Sequence, residues 1–336
     1  ARLEQGSALQ KLSRNGEARQ VLEAALADAA TLPEGDPIRI RLALALGEVE
    51  VQEGDLPAAR ARSQALLERT QAARGADDLL TSQVKQTLAM VLARTGELTE
   101  ARVLMEQVVP LRTRLLGETH PDTLAAMGAL ATMRAMLSDY EPAAELQRKL
   151  VQAQTRRLGL EHPDTLAARG NLSNMLSGMG QNVPALAEAK AVFEARTRVL
   201  GAEHPQTLRS ALNLSSLLAR EDRFDEALPL EAQVLAARRR LLGPDHPDTL
   251  FIQINHGVSL QRAGQSAQAL ALLDDGLPRA LRVLGEKHHQ YQLGLMMSGQ
   301  ALVDSGRTAR GIEALARALE LRKTFLPPYS PEIPNT

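Results

Sequence analysis

The hydrophobic pattern along the chain is that of paired amphipathic helices. In one stretch, apolar side chains fall at Leu166, Leu172 and Leu176, with small residues between them. After a turn at 178–181, a second stretch places apolar side chains three and four residues apart until Gly201. This spacing indicates helices with one buried face, because strands would alternate apolar and polar positions. The pattern predicts an all-α chain.

The same pattern recurs with a period of 42 residues. Marker sequences related to Gly-x-x-His-Pro-x-Thr begin at five in-phase glycines: Gly117, Gly159, Gly201, Gly243 and, in a degraded copy, Gly285. Each follows a leucine at the end of a helix, where a left-handed residue is expected to close it. One helix hairpin cannot bury its apolar face alone, whereas stacked neighbours can. The repeats therefore predict a solenoid of hairpins.

Eight hairpins fit this phase. The first helices are predicted at about 1–12, 37–52, 79–94, 121–136, 163–178, 205–220, 247–262 and 289–304. The second helices are predicted at about 17–31, 56–73, 98–115, 140–157, 182–199, 224–241, 266–283 and 308–324. We expect a single solenoid over residues 1–326, with a truncated first hairpin. Residues 327–336 would form a proline-rich extended tail that begins an unfinished ninth unit.

The composition argues against several classes of function. The net charge of −1 is unlike that of general nucleic-acid binders, whose affinity depends on excess positive charge. The absence of cysteine excludes disulfides and thiolate metal sites. Aromatic residues make up 2% of the chain, too few for base-stacking platforms. No apolar run is long enough to insert across a membrane.

The sequence contains no motif for catalysis or cofactor binding. The Gly-x-Ser-x-Gly, phosphate-loop and His-Glu-x-x-His signatures are absent. The carboxylates are scattered along polar helix faces, where nothing makes two of them converge. We therefore predict a protein that is not an enzyme, with no catalytic residues, no cofactor and no metal.

Four histidines recur with the marker sequence and allow two interpretations. His120, His162, His204 and His246 each precede the proline that starts a first helix. A metal site needs several ligands around one point, whereas each of these histidines belongs to a different link between hairpins. The favoured interpretation is that each histidine fixes its link through hydrogen bonds.

A stripe of arginines also has two interpretations. Its members lie three residues before each closing glycine: Arg114, Arg156, Arg198, Arg240 and Arg282. Positive charge is favourable at a helix C-terminus, but the stripe could instead bind an acidic or phosphorylated partner. Interleaved glutamates and the near-zero net charge favour the first interpretation.

These residues resemble a known repeat family. The segment from Leu158 to Leu166, Leu-Gly-Leu-Glu-His-Pro-Asp-Thr-Leu, followed by Asn171-Leu172, looks like the tetratricopeptide repeat of kinesin light chains and their bacterial relatives. The resemblance covers about residues 17–326. It implies a right-handed superhelical α-solenoid without a catalytic centre. It also implies a concave groove, lined by the first helices, that binds peptides or helices of partner proteins.

One departure from that family concerns how a peptide would be held. Its members often carry two adjacent asparagines in the first helix, the earlier of which faces the groove. This chain keeps the later one, at Asn171, Asn213 and Asn255, and has Gly or an aliphatic residue before it. The departure argues against a ladder of asparagines gripping the main chain of an extended peptide.

The repeat phase predicts which side chains line the groove. They occupy exposed positions of successive first helices: Gln86, Met90, Arg94, Thr132, Asn174, Ser177, Arg209, Ser216, Arg220, Phe251, Val258, Arg262, Met296 and Gln300. Small residues in the middle leave room for a bulky ligand such as a helix, and Met and Phe give adaptable contact. The alternative is that these side chains only pack between first helices.

We therefore predict a protein-interaction scaffold or adaptor that binds a protein or peptide partner. The alternative is a regulatory or sensor module of a larger signalling protein, such as a bacterial receptor-like Ser/Thr kinase or a signalling ATPase. A third hypothesis is a homo-oligomer, with the tail of one copy in the groove of another. The expected location is cytoplasmic, with an extracytoplasmic module of a membrane-anchored protein as the alternative.

Overall fold

A computed structural model describes residues 1–325, which are helical and contain no strand. The first helices are Arg2–Lys11 (α1), Pro37–Glu53 (α3), Leu79–Arg94 (α5), Pro121–Met136 (α7), Pro163–Gly178 (α9), Pro205–Arg220 (α11), Pro247–Arg262 (α13) and His289–Asp304 (α15). The second helices are Asn15–Asp28 (α2), Leu56–Arg74 (α4), Leu98–Leu116 (α6), Tyr140–Leu158 (α8), Asn182–Leu200 (α10), Phe224–Leu242 (α12), Ser266–Leu284 (α14) and Thr308–Phe325 (α16). The predicted all-α solenoid class is confirmed, while the predicted tail at 327–336 lies outside the described residues.

The chain divides into two compact units. Unit 1 comprises Ala1–Gln181, and unit 2 begins at Asn182. The boundary falls in the turn between α9 and α10. The 42-residue repeat pattern does not distinguish this turn from the turns inside the other hairpins. One solenoid over residues 1–326 remains a prediction.

Several pairs of neighbouring first helices approach one another closely within a unit. In unit 1, α1 contacts α3, α3 contacts α5, and α7 contacts α9; in unit 2, α13 contacts α15. In the described residues, no two second helices of the same unit make comparable contacts. We call the side of each unit that is formed by its first helices the inner face of that unit.

Buried aliphatic side chains from neighbouring hairpins form the core of each unit. Leu22, Ile40 and Met105 are fully buried in unit 1, and Leu250 and Leu273 in unit 2. Each fully buried Leu or Ile contributes about 1.5–3 kcal/mol relative to an exposed one. The stability of a hairpin therefore depends on its neighbours, as expected for a stack of repeats.

The marker histidines begin the first helices as N-caps. The Nδ1 atoms of His120, His162 and His246 each accept a hydrogen bond of 3.2 Å from the backbone N–H two residues later. In the earlier repeats, the same position holds Asp36 and Asp78, which cap α3 and α5 in the same way. Aspartate therefore replaces histidine in this capping role. The hydrogen bonds of the three histidines confirm the prediction that these residues fix their links.

The glycines that close the second helices adopt a conformation more restrictive than the expected one. Their positive φ was predicted, but Gly75, Gly117 and Gly159 combine φ of 88–93° with ψ of 160–166°. This is an extended region that essentially only glycine adopts. The turns inside hairpins differ, since Gly54 has φ 83° and ψ 6° in the left-handed helical region. The chain therefore leaves each of these second helices through an extended glycine and not through a left-handed helical one.

Candidate partner-binding faces

The predicted groove residues all lie on first helices, and none is buried. Half-buried are Gln86, Ser177, Val258 and Met296; the other ten are exposed. The six up to Ser177 belong to the inner face of unit 1 and the eight from Arg209 to the inner face of unit 2. The predicted residues therefore divide into two sets, one on the first helices of each unit. Whether either set binds a partner remains a prediction.

The inner face of unit 1 is small and weakly charged. Met90 is 50% exposed, and Asn174 is exposed one phase after Thr132. The hydroxyl of Thr132 donates to the carbonyl of Gly128 in its own helix, at 2.9 Å. These side chains thus leave open space above the helices.

Glu48 is a residue of this face that the sequence analysis missed. It lies one period before Met90 and is exposed, yet desolvation raises its pKa above the ordinary value of 4.5. Neighbouring protein atoms therefore displace part of the hydration of this carboxylate, although its side chain remains accessible. The phase alone would have pointed to Glu48.

The inner face of unit 2 carries an exposed aromatic ring and an exposed arginine. Phe251 is 46% exposed, and Arg209 occupies the same phase on the preceding first helix, α11. Among the described residues, Arg209 has no hydrogen-bond or ion-pair partner. Desolvation, and then the charge of Arg209, lower the pKa of the buried Arg196. Among the described residues, Arg209 is therefore an exposed positive charge without a counter-ion, one repeat before Phe251.

Gln86 is partly engaged inside unit 1. Its Oε1 accepts a 2.6 Å hydrogen bond from Nη1 of Arg112. Arg112 is buried, so desolvation lowers its pKa, and the same nitrogen donates to the carbonyl of Asp122. Gln86 thus satisfies a buried guanidinium, a role that the repeat phase did not reveal.

Two arginines of the predicted groove, Arg94 and Arg262, are also partly structural. Nη1 of Arg94 lies 3.5 Å from the carbonyl oxygen of Val51, and Nη2 of Arg262 donates to the carbonyl of Ala219 at 3.0 Å. Both arginines therefore hold the C-terminal end of the preceding first helix, where positive charge is favourable. Arg262 also stacks on Phe224, with its guanidinium carbon 5.2 Å from the ring centroid.

The asparagine positions give unit 2 no ladder. Ile254 is fully buried, and Leu212 packs against the core. Oδ1 of Asn255 accepts a 2.7 Å hydrogen bond from Nε2 of Gln290, which joins α13 to α15. These contacts agree with the departure seen in the sequence.

A profile of the tetratricopeptide repeat family matches residues 78–156, 165–240 and 211–282, more than half of the chain. The chain belongs to the tetratricopeptide repeat family. This confirms the resemblance on which the groove prediction rested, and it supports a protein-interaction role. Scaffold families built from tetratricopeptide repeats are generally non-catalytic.

Several solved tetratricopeptide structures are similar to this array. A Podospora anserina kinesin light chain homologue with nearly identical repeats is 25% identical, covers 62% of this chain and 98% of its own, and has a TM-score of 0.55. BtubC (BKLC) from P. vanneervenii is 18% identical, covers 69% and 94%, and has a TM-score of 0.58. A Rap protein complexed with Competence and Sporulation Factor is 11% identical, covers 97% and 86%, and has a TM-score of 0.61. The last two are evidence for the fold alone.

The chain matches no curated protein. Within residues 1–325, every tetratricopeptide helix is too short or too polar to cross a bilayer.

Proposed function

We propose that the inner faces of the first helices bind a polypeptide segment of a partner protein, so that the chain serves as a scaffold or adaptor. The observation that supports this most directly is the inner face of unit 2. There Phe251 is 46% exposed in a chain with few aromatics, and Arg209 has no partner among the described residues. Aromatic and arginine side chains are enriched among the residues that dominate protein interfaces.

The chemistry of this face favours a segment that carries an apolar side chain next to an acidic one. Phe251, Val258 and Met296 would contact the apolar side chain, and Arg209 would pair with the carboxylate. Such a charge pair mainly improves orientation and association rate, whereas the buried aromatic contact supplies affinity.

The inner face of unit 1 suits a bulkier element. Its exposed residues include Thr132 and Asn174, which project little volume. A helix that packs on this face would contact these small side chains through residues at three- and four-residue intervals. The Rap protein that resembles this chain in fold is complexed with Competence and Sporulation Factor; a bound factor in that protein is consistent with the proposal.

The test is capture of partners by variants of the full chain. Asn174→Arg combined with Ser216→Glu, and separately Phe251→Asp, should each abolish capture of the same proteins without loss of helicity. Val183→Asp is the matched control, since Val183 is 79% exposed on the second helix α10, away from the inner face. Capture that is unchanged in both inner-face variants would contradict the proposal.

The two alternatives are separable from this proposal. A regulatory module of a receptor-like Ser/Thr kinase or signalling ATPase would use the same faces, but the full gene product would carry a catalytic domain. If the chain self-associates through residues 327–336, deleting these residues should lower the molar mass measured by light scattering.

A further inference from the structure

The arginine stripe repeats one ion pair along the chain, and most of its arginines have an acidic partner at a fixed sequence distance. Nη2 of Arg114 lies 2.8 Å from Oδ2 of Asp77, and Nη2 of Arg282 lies 3.0 Å from Oδ2 of Asp245. Arg240 pairs with Glu203 in the same way. Each acidic residue precedes its arginine by 37 positions, in the link that leads into the same hairpin. The stripe therefore ties the end of each second helix to that link.

Arg156 departs from this series. The residue 37 positions before it is Thr119, which cannot form an ion pair. In the part of the chain that the structure describes, the exposed side chain of Arg156 has no hydrogen-bond or ion-pair partner. Its guanidinium thus keeps all five donors available.

Arg156 borders a cavity of about 320 Å³ on the second-helix side of unit 1. A second cation, Lys149, lines the same cavity, together with one carboxylate, Glu118. None of these three groups has an ion-pair partner among residues 1–325. The charged lining therefore has an excess of one positive charge, and the amide of Gln152 and the hydroxyl of Thr119 add neutral donors.

The floor of the cavity is apolar. Val109, Leu146 and Ala153 are half-buried, and Met127 is buried with 7% of its surface exposed. A bare inorganic ion would leave this floor in contact with water. A group with an apolar body and an anionic head would cover the floor while the head reaches the two cations.

We propose that this cavity binds an organic anion. The ligand would be either a free carboxylate or a phosphate monoester, with an apolar body about the size of a benzene ring. The volume is near the lower end of small-molecule sites, which begin at about 300 Å³. An arginine fork and a lysine can bind such an oxyanion through charge-assisted hydrogen bonds. The site lies apart from the inner faces, so it does not depend on the proposed scaffold function.

The experiment measures binding of phenyl phosphate to the full chain by calorimetry and by amide chemical shifts. Thr119→Glu restores the acid found at Asp77 and Glu203, so it should pair with Arg156 and weaken binding at least about tenfold, the effect of losing roughly 1.4 kcal/mol. Arg156→Gln should weaken binding to a similar extent. Arg114→Gln is the matched control, because it removes a stripe arginine that already has a partner, and it should bind like the wild type.

Two further probes separate the parts of the ligand. Benzyl alcohol should bind at least about tenfold more weakly than phenyl phosphate, as should inorganic phosphate, because each lacks one half of the contact. The proposal is overturned if phenyl phosphate does not bind saturably at millimolar concentration. It is also overturned if Thr119→Glu and Arg156→Gln bind like the wild type, or if benzyl alcohol binds equally well.

Discussion

His256 Nδ1 lies 2.9 Å from Oε2 of Glu231 in the interior of unit 2. The hydroxyl of Ser259 donates to the other carboxylate oxygen, also at 2.9 Å. Leucine occupies the position of His256 in five earlier repeats, at Leu46, Leu88, Leu130, Leu172 and Leu214. One apolar contact between hairpins is thus replaced by a polar cluster that joins α12 to α13.

This cluster predicts a strong difference between single and double substitutions. His256→Leu leaves the carboxylate of Glu231 buried with only Ser259, which should lower the free energy of unfolding by about 3–5 kcal/mol. Adding Glu231→Met removes that carboxylate and should recover most of the loss, because well-packed apolar replacements of buried pairs are often neutral. Guanidinium denaturation of the three proteins measures this. A single variant as stable as the wild type would show that the cluster contributes nothing.

The capping role of the histidines predicts which substitutions are tolerated. His162→Ala leaves the N–H of Asp164 without its acceptor and should cost about 1 kcal/mol. His162→Asp should retain full stability, because Asp78 already caps α5 with hydrogen bonds to two backbone N–H groups. Thermal denaturation of both variants tests this. Equal losses in the two variants would mean that the imidazole acts in some way other than capping.

The two kinds of glycine predict unequal costs for the same substitution. Gly75→Asn should lower the free energy of unfolding by about 2 kcal/mol, because a side chain is strained at φ 88° and ψ 166°. Gly54→Asn should cost about 1 kcal/mol or less, since asparagine tolerates left-handed helical geometry. An added Cβ meets no atom within 4 Å at either position, so backbone conformation alone separates the variants. The comparison uses urea denaturation, and equal costs would refute it.

The raised pKa of Glu48 predicts a stability that depends on pH. Desolvation disfavours the ionised form in the folded state, so the charged side chain destabilises the fold above the ordinary value of 4.5. This penalty disappears as the pH falls below that value and the group is protonated in both states. Glu48→Gln should therefore have a higher Tm than the wild type at pH 7, and the two should converge near pH 4.

Glu145→Gln, an exposed carboxylate on the second helix α8, is the control for this comparison. It should show no comparable gain in Tm at pH 7. A wild type that is as stable as Glu48→Gln at neutral pH would contradict the desolvation of Glu48 in the folded state.

The sequence predicted the helix and the exposure of each candidate residue because repeats carry positional information. The 42-residue phase placed Met90, Thr132 and Asn174 on one face, and none of them is buried. The phase did not predict that Gln86 satisfies Arg112 or that Arg262 holds the end of the preceding first helix. Those contacts depend on which side chain a neighbouring helix happens to carry.

The amino-acid sequence by itself determined the helices, their order and their ends. It placed α9 at residues 163–178, as found, because caps, prolines and apolar spacing act within a few residues of chain. The tertiary structure decided which charges have partners. Arg114 pairs with Asp77 across 37 residues, whereas Arg156 has no acidic partner within residues 1–325. Such pairing depends on the distance between helices, which packing sets and local propensity does not.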